Sequence, residues 1–220
     1  MLTKKQTKRF AFSYLLLLLL NLQLLAIGIL DPNFGNDGKI ILNLGATVDL
    51  IGAAVLQPDG KIIIAGSTFS PNSTNSLADF AVVRLNADGG LDSTFGNGGF
   101  VTTDFTGGQD GATSVALLPD GKIIAAGYSE TPLVLNSRRR ASAMARYNSN
   151  GSLDASFGTG GKVHSDFGAD YQRISRMLIK SDGKIITFGD ASGDNFVTPS
   201  RIVLTRYNSD GSIDTSFGTN

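Results

Sequence analysis

The sequence predicts an all-β protein of tandem four-stranded antiparallel units of about 61 residues, a partial (open or incomplete) β-propeller preceded by an N-terminal signal or anchor helix. Three observations carry this. The chain is self-similar at a fixed period. Each repeat places an Asp-Gly turn between two apolar runs. The composition, with 27 Gly, 13 Phe and acidic residues that are 18 Asp against one Glu (Glu130), favours turns over helices.

The first element is the leader. Residues 1–29 run from a basic stretch, MLTKKQTKRF, into the apolar AFSYLLLLLLNLQLLAIGI and a small-x-small site at Ala26-Ile27-Gly28. That order is the layout of a secretory signal peptide. The run 10–30 is long enough to span a bilayer if it is not cleaved, although Asn21 and Gln23 weaken it as a permanent span. Export to a bacterial periplasm, the cell surface or the extracellular space is the expectation, with any membrane contact made through residues 10–30. The formal net charge of zero hides this division. Lys4, Lys5, Lys8 and Arg9 are all in the leader, which leaves 15 basic against 19 acidic residues in the body. A mildly acidic body has no electrostatic reason to bind nucleic acid. With no Cys, disulfides, thiolate metal sites and cysteine catalysis are excluded.

The body carries three landmarks in a constant order. Leu-Asp-x-x-Phe-Gly, with Ile213 for Leu in the last copy, places Phe34, Phe95, Phe157 and Phe217 at separations of 61, 62 and 60 residues. QPDGKIIIAG, LPDGKIIAAG and KSDGKIITFG place Asp59, Asp120 and Asp182 at hairpin tips, and a third series places Arg84, Arg146 and Arg206 before Asn-x-x-Gly turns. The units are therefore 30–90, 91–152 and 153–212, with the start of a truncated fourth at 213–220. In the first unit, strands are expected at 39–44, 53–57, 61–65 and 80–86. Non-repeating loops (69–79, 129–140 and 190–199) fall between the third and fourth strand of each unit. Such units suggest propeller blades rather than a β-solenoid, and the repeated Phe reads as an anchor packed between neighbours. Three units fall short of a closed ring, so the chain reads as a piece of a longer protein, or as one whose segment 30–44 complements its C-terminal end across a dimer. Exposed strand edges make edge-mediated self-association an expectation.

These motifs resemble the delta-60 repeat of bacterial secreted proteins, over essentially all of 30–220. The resemblance implies a β-propeller-like architecture and no established activity or catalytic residue. Three departures from its pattern, Asn150 for Asp, Lys180-Ser181 for an apolar-Pro pair, and Arg173 and Arg176 in an apolar strand, imply a looser or edge-like third unit.

No catalytic, cofactor-binding or metal residue is assigned. His164 is the one histidine and occupies a strand position, and no nucleophile elbow or phosphate loop is present. The recurring aspartates read as turn caps, with calcium bound by convergent carboxylates as the alternative. The recurring arginines read as braces to a repeated carboxylate. Candidate partner contacts are the non-repeating Arg138, Arg139 and Arg140, with Asn72 and Asp194. Tyr128 and Tyr171 could face a carbohydrate, while Tyr147 and Tyr207 hold repeat positions that suit the core. The functional expectation is an exported, non-enzymatic module that binds a protein or glycan through its non-repeating loops. The alternatives are an envelope hydrolase or lyase, with Asp104 and Asp166 meeting near His164, and a structural spacer of a larger surface protein.

Overall fold

The computed structural model describes residues 30–44, 49–69, 77–131, 139–193 and 200–218. Those residues form β-strands and turns, with no helix among them. The expected signal or anchor helix at 1–29 lies outside the described residues, and among the described residues no helix is long and apolar enough to cross a membrane. The chain divides into two compact units, Met1–Ile40 and Ile41–Asn220. In the first, residues 30–40 make the Phe-Gly turn: Phe34 N donates to Asp31 O (3.1 Å) and Gly38 N to Phe34 O (2.9 Å).

The second unit holds three antiparallel sheets. Strands β1 (Asp49–Leu56), β2 (Ile62–Phe69), β3 (Ala78–Leu85) and β4 (Phe100–Thr103) form the first, in that order. Strands β5 (Asp110–Leu117), β6 (Ile123–Glu130), β7 (Arg140–Tyr147) and β8 (Lys162–Ser165) form the second. Strands β9 (Tyr171–Ile179), β10 (Ile185–Ser192) and β11 (Arg201–Tyr207) form the third, with β11 at its edge. Among the described residues the sheets are not joined into a closed ring.

The hairpins follow from turn chemistry. In Gln57-Pro58-Asp59-Gly60-Lys61 the proline presets φ, Lys61 N donates to Asp59 Oδ1 (3.2 Å), and Gly60 adopts φ 85°, which costs a residue without Cβ nothing. Beyond each hairpin the first strand bulges, at Ile51/Ala53 in β1 and Ala112/Ser114 in β5. The facing glycine makes room for the bulge, since a Cβ on Gly127 would run into the carbonyl oxygen of Gly111.

One expected strand is corrected. Residues 39–44 form no strand, and Ile41 is 92% exposed. Their counterparts, Phe100–Thr103 and Lys162–Ser165, are strands, but each closes the sheet before it. β4 pairs with β3 (Phe80↔Thr103 to Val83↔Phe100) and β8 with β7 (Ser142↔Ser165 to Ala145↔Lys162). The Phe-Gly turn thus folds the chain back along the strand it has just left. A strand needs a neighbour for its ladder hydrogen bonds, and 39–44 has none among the described residues. Each sheet is offset from the sequence unit by one strand. The other strands run further than expected, with β2 and β10 reaching Phe69 and Ser192 in the segments read as loops.

Two apolar layers separate the three sheets. Ile63, Ala65, Phe80 and Val82 of the first sheet pack with Phe95 against Ile123, Ala125, Ala143, Ala145 and Tyr147 of the second. Ile124, Ala126 and Met144 on the other face of the second sheet pack with Phe157 against Ile174, Met177, Ile185 and Tyr207. The middle sheet is buried on both faces, which is why its strands read as near-continuous apolar runs. Phe95 and Phe157 are fully buried at the two seams, while Phe34 and Phe217 are half-buried. Arg173 and Arg176 lie on the exposed face of β9, so the third sheet keeps its buried layer despite them.

Candidate functional site

The strands end at two chemically different poles. At the hairpin pole the three sequence landmarks meet. Arg84 Nε donates to Asp92 Oδ2 (2.8 Å), Nη2 donates to Thr94 Oγ1 (2.9 Å), and Nη1 donates to the Ser149 carbonyl of the next sheet's turn (2.5 Å). Lys61, which follows the Asp-Gly turn, also reaches Asp92 Oδ2 (2.9 Å). The next repeat copies this, with Arg146 and Lys122 on Asp154 and Arg146 Nη1 on the Ser209 carbonyl. The third joins Arg206 and Lys184 to Asp214. Each guanidinium lies over the seam phenylalanine, 4.8 Å from the Phe95 centroid, 4.6 Å from Phe157 and 4.6 Å from Phe217. These contacts hold the carboxyls of Asp92, Asp154 and Asp214 well below the usual range, led by Lys61, Ser156 and Lys184 respectively. Asp59, Asp120 and Asp182 cap their own turns through the amides of Lys61, Lys122 and Lys184. The lysine's part in this lattice had a sequence signal, since it follows Asp-Gly in all three repeats, but a lone lysine after a turn reads as a solvated charge.

The loop pole carries the side chains that do not repeat. Arg138, Asn72 and Asp194 lie outside the described residues. Arg140 and Glu130 are directly paired across β7 and β6, with Nε 2.7 Å from Oε1. The Arg140 guanidinium lies 4.1 Å from the Tyr128 ring centroid and 5.6 Å from that of Tyr171. Arg139 is half exposed and reaches Asp170 (3.3 Å) and Asp166 (3.9 Å). Arg140, Tyr171, Gln172, Arg173 and Asp190 line a shallow cavity of about 120 Å³, and Arg173 Nε is 2.9 Å from Asp190 Oδ1. Typical small-molecule sites have roughly 300–1,000 Å³, so this one suits the edge of an extended ligand, not an enclosed one. Tyr147 and Tyr207 are buried, bonded to Thr103 (2.8 Å) and Ser165 (3.1 Å).

Asp104 and Asp166 do not pair. Each caps its own loop, Asp104 Oδ1 accepting from Gly107 N (2.6 Å) and Asp166 Oδ1 from Gly168 N (2.8 Å), while His164 is exposed on β8. A different carboxylate group forms at this pole. Asp79, Asp104 and Asp110 bring one oxygen each within 4.8 Å of one another. Burial, with Asp104 and Asp79 adding, pushes the Asp110 carboxyl up to about 7, and burial then Asp104 raises Asp79. No sequence spacing signals this trio, because its members come from three different strand ends.

Antiparallel sheets following one another along the chain, each tied to the next by the same arginine–aspartate–lysine lattice, define a repeat protein of the β-propeller class. The chain belongs to the family described as "domain of unknown function (DUF5122) beta-propeller", whose model matches residues 57–95, 118–157 and 180–217, just over half of the chain. Each match runs from an Asp-Gly hairpin to its seam phenylalanine. A comparison with curated proteins gave no match.

Proposed function

We propose that this chain is an exported, non-enzymatic β-repeat module, of the delta-60 kind found in bacterial secreted proteins, that engages a protein or glycan at its loop pole. The observation that carries the reading is the division of labour between the poles. The hairpin pole spends its recurring charges on inter-sheet bracing, whereas the loop pole displays non-repeating Arg139, Arg140, Tyr128 and Tyr171, with Arg140 and Tyr171 lining an open cavity. Tyrosine and arginine on an exposed, pre-organised surface are the residue types that dominate interface energetics. The basic-then-apolar leader at 1–29 supports export. The test is an array of glycans and envelope proteins probed with the purified chain and with Tyr171→Ala/Arg139→Ala. The double substitution should reduce a specific signal at least tenfold without changing the melting temperature. Equal binding by both forms would remove the loop pole from consideration.

Self-association through a sheet edge is part of the same proposal. β11 leaves Ile202 85% exposed and Leu204 49% exposed at the edge of the third sheet, and an open apolar edge invites strand pairing.

A further inference from the structure

Among the repeats, one position is filled in three different ways, and the second way lacks a partner. At the start of β1, Asp49 Oδ1 accepts from Thr68 Oγ1 (2.6 Å) and Oδ2 from Leu44 N (3.2 Å). The counterpart in β9 is Gln172, whose Oε1 accepts from Phe167 N (3.0 Å) and whose Nε2 donates to Asp166 Oδ1 (2.9 Å) and Ala169 O (3.1 Å). In β5 it is Asp110. Its Oδ2 accepts from Phe105 N (2.8 Å), as the pattern requires, and the Ser129 hydroxyl faces its carboxyl where Thr68 faces Asp49, but Oδ1 is buried with no hydrogen bond of normal geometry and the residue is 0% exposed. Where Gln172 turns an N–H toward Asp166, Asp110 turns a carboxylate toward Asp104. Asp79 adds a third, in a place that Ala141 and Arg201 fill in the other repeats. Among the described residues no ion pair reaches any of the three, and Lys162 Nζ donates to the backbone carbonyl of Asp104 (3.0 Å), not to its carboxylate.

A buried carboxylate that has at most one neutral hydroxyl on its inner oxygen is costly, and two neighbouring carboxylates raise that cost. The missing partner must carry positive charge and accept several hard oxygens. Calcium binds oxygens at roughly 2.3–2.6 Å, so two ligands across one ion are separated by at most about 5 Å. Each pair of these carboxylate oxygens, all within 4.8 Å of one another, is therefore within reach of a single ion. Asp104 is exposed and Asp79 half-buried, which leaves an approach from solvent and room for water ligands.

We infer that Asp79, Asp104 and Asp110 form a divalent-cation site, suited to calcium, that clasps the loop pole of the first sheet to the opening strand of the second. β3, the loop just after β4 and β5 contribute one ligand each, so the ion ties two sheets that have no backbone ladder between them among the described residues. The site is peculiar to one repeat and does not depend on what the loop pole binds.

Isothermal titration of the chelator-treated chain with calcium chloride, paired with thermal unfolding with and without the ion, tests this. The wild type should bind one calcium and melt higher with it. Asp110→Asn, which should fold because Gln172 already fills the same place with an amide, should abolish binding, and Asp79→Asn should weaken it at least tenfold. Asp166→Asn, the third-repeat counterpart of Asp104, should leave binding unchanged. If the wild type neither binds calcium nor gains stability from it, while Asp110→Asn is equally stabilised with and without calcium, a proton fills the role and the site is refuted. Binding retained by both Asp110→Asn and Asp79→Asn would refute it as well.

Discussion

Asp110 and Asp92 are aspartates in one chain whose titrations push stability in opposite directions. The folded carboxyl of Asp110 sits near 7, above the roughly 3.9 of an unfolded aspartate, so the fold prefers its neutral form. Its contribution is full below about pH 4, falls as pH rises through 7, and is level above. The charges facing it are Asp79 and Asp104, with Lys162 held at the Asp104 carbonyl. Asp110→Asn stays neutral throughout, so in chelator its melting temperature should exceed that of the wild type by a margin that widens from pH 4 to pH 7 and then holds. A constant margin would mean that Asp110 does not titrate in this window. Asp92 and Asp154 work the other way. Their carboxyls are held low, so the stability they add is present above about pH 4 and lost as pH falls. At Asn150 the departure from the repeat pattern costs nothing visible, since its Oδ1 accepts from Ser152 N (3.0 Å) as Asp210 Oδ1 does from Ser212 N (2.9 Å).

Strands carry the next level. The three hairpins were legible because Pro-Asp-Gly and Ser-Asp-Gly specify a turn within a few residues. The pairing of β4 and β8 was not, because which strand receives Phe100–Thr103 depends on where the Phe-Gly turn delivers it. The exposed row on β11 belongs to this scale too. Met144, the β7 counterpart of Leu204, is fully buried, so Leu204 is apolar at a place where its sheet has no covering layer among the described residues. Ile202→Lys should lower the average mass measured by sedimentation at micromolar concentrations while leaving the melting temperature within a few degrees, as surface changes usually do. Unchanged mass would exclude this edge as the route of self-association.

Between sheets, stability rests on the two apolar layers and on arginines that reach across each seam. Arg146→Ala leaves Asp154 buried and the Ser209 carbonyl without its donor. Removing one partner of a buried pair costs about 3–5 kcal/mol, and the lower end applies because Lys122 still meets Asp154. Arg206 binds Asp214 and Ser216 but meets no neighbouring turn carbonyl among the described residues. Arg206→Ala should therefore cost clearly less in urea denaturation, and the difference measures the inter-sheet bond. Equal costs would place the arginines' value within their own sheets.

The repeat period, the hairpins, the capping aspartates and the seam phenylalanines are determined by the sequence alone, because turn conformation and apolar periodicity are set by residues a few positions apart. The one-strand offset between repeat and sheet, the arrival of Lys61 on the carboxylate that Arg84 braces, and the meeting of Asp79, Asp104 and Asp110 were decided only by the tertiary structure. Each needs residues distant in sequence to share a desolvated volume. There a charge that would be solvated in an isolated strand must find its partner across a strand end or a sheet junction.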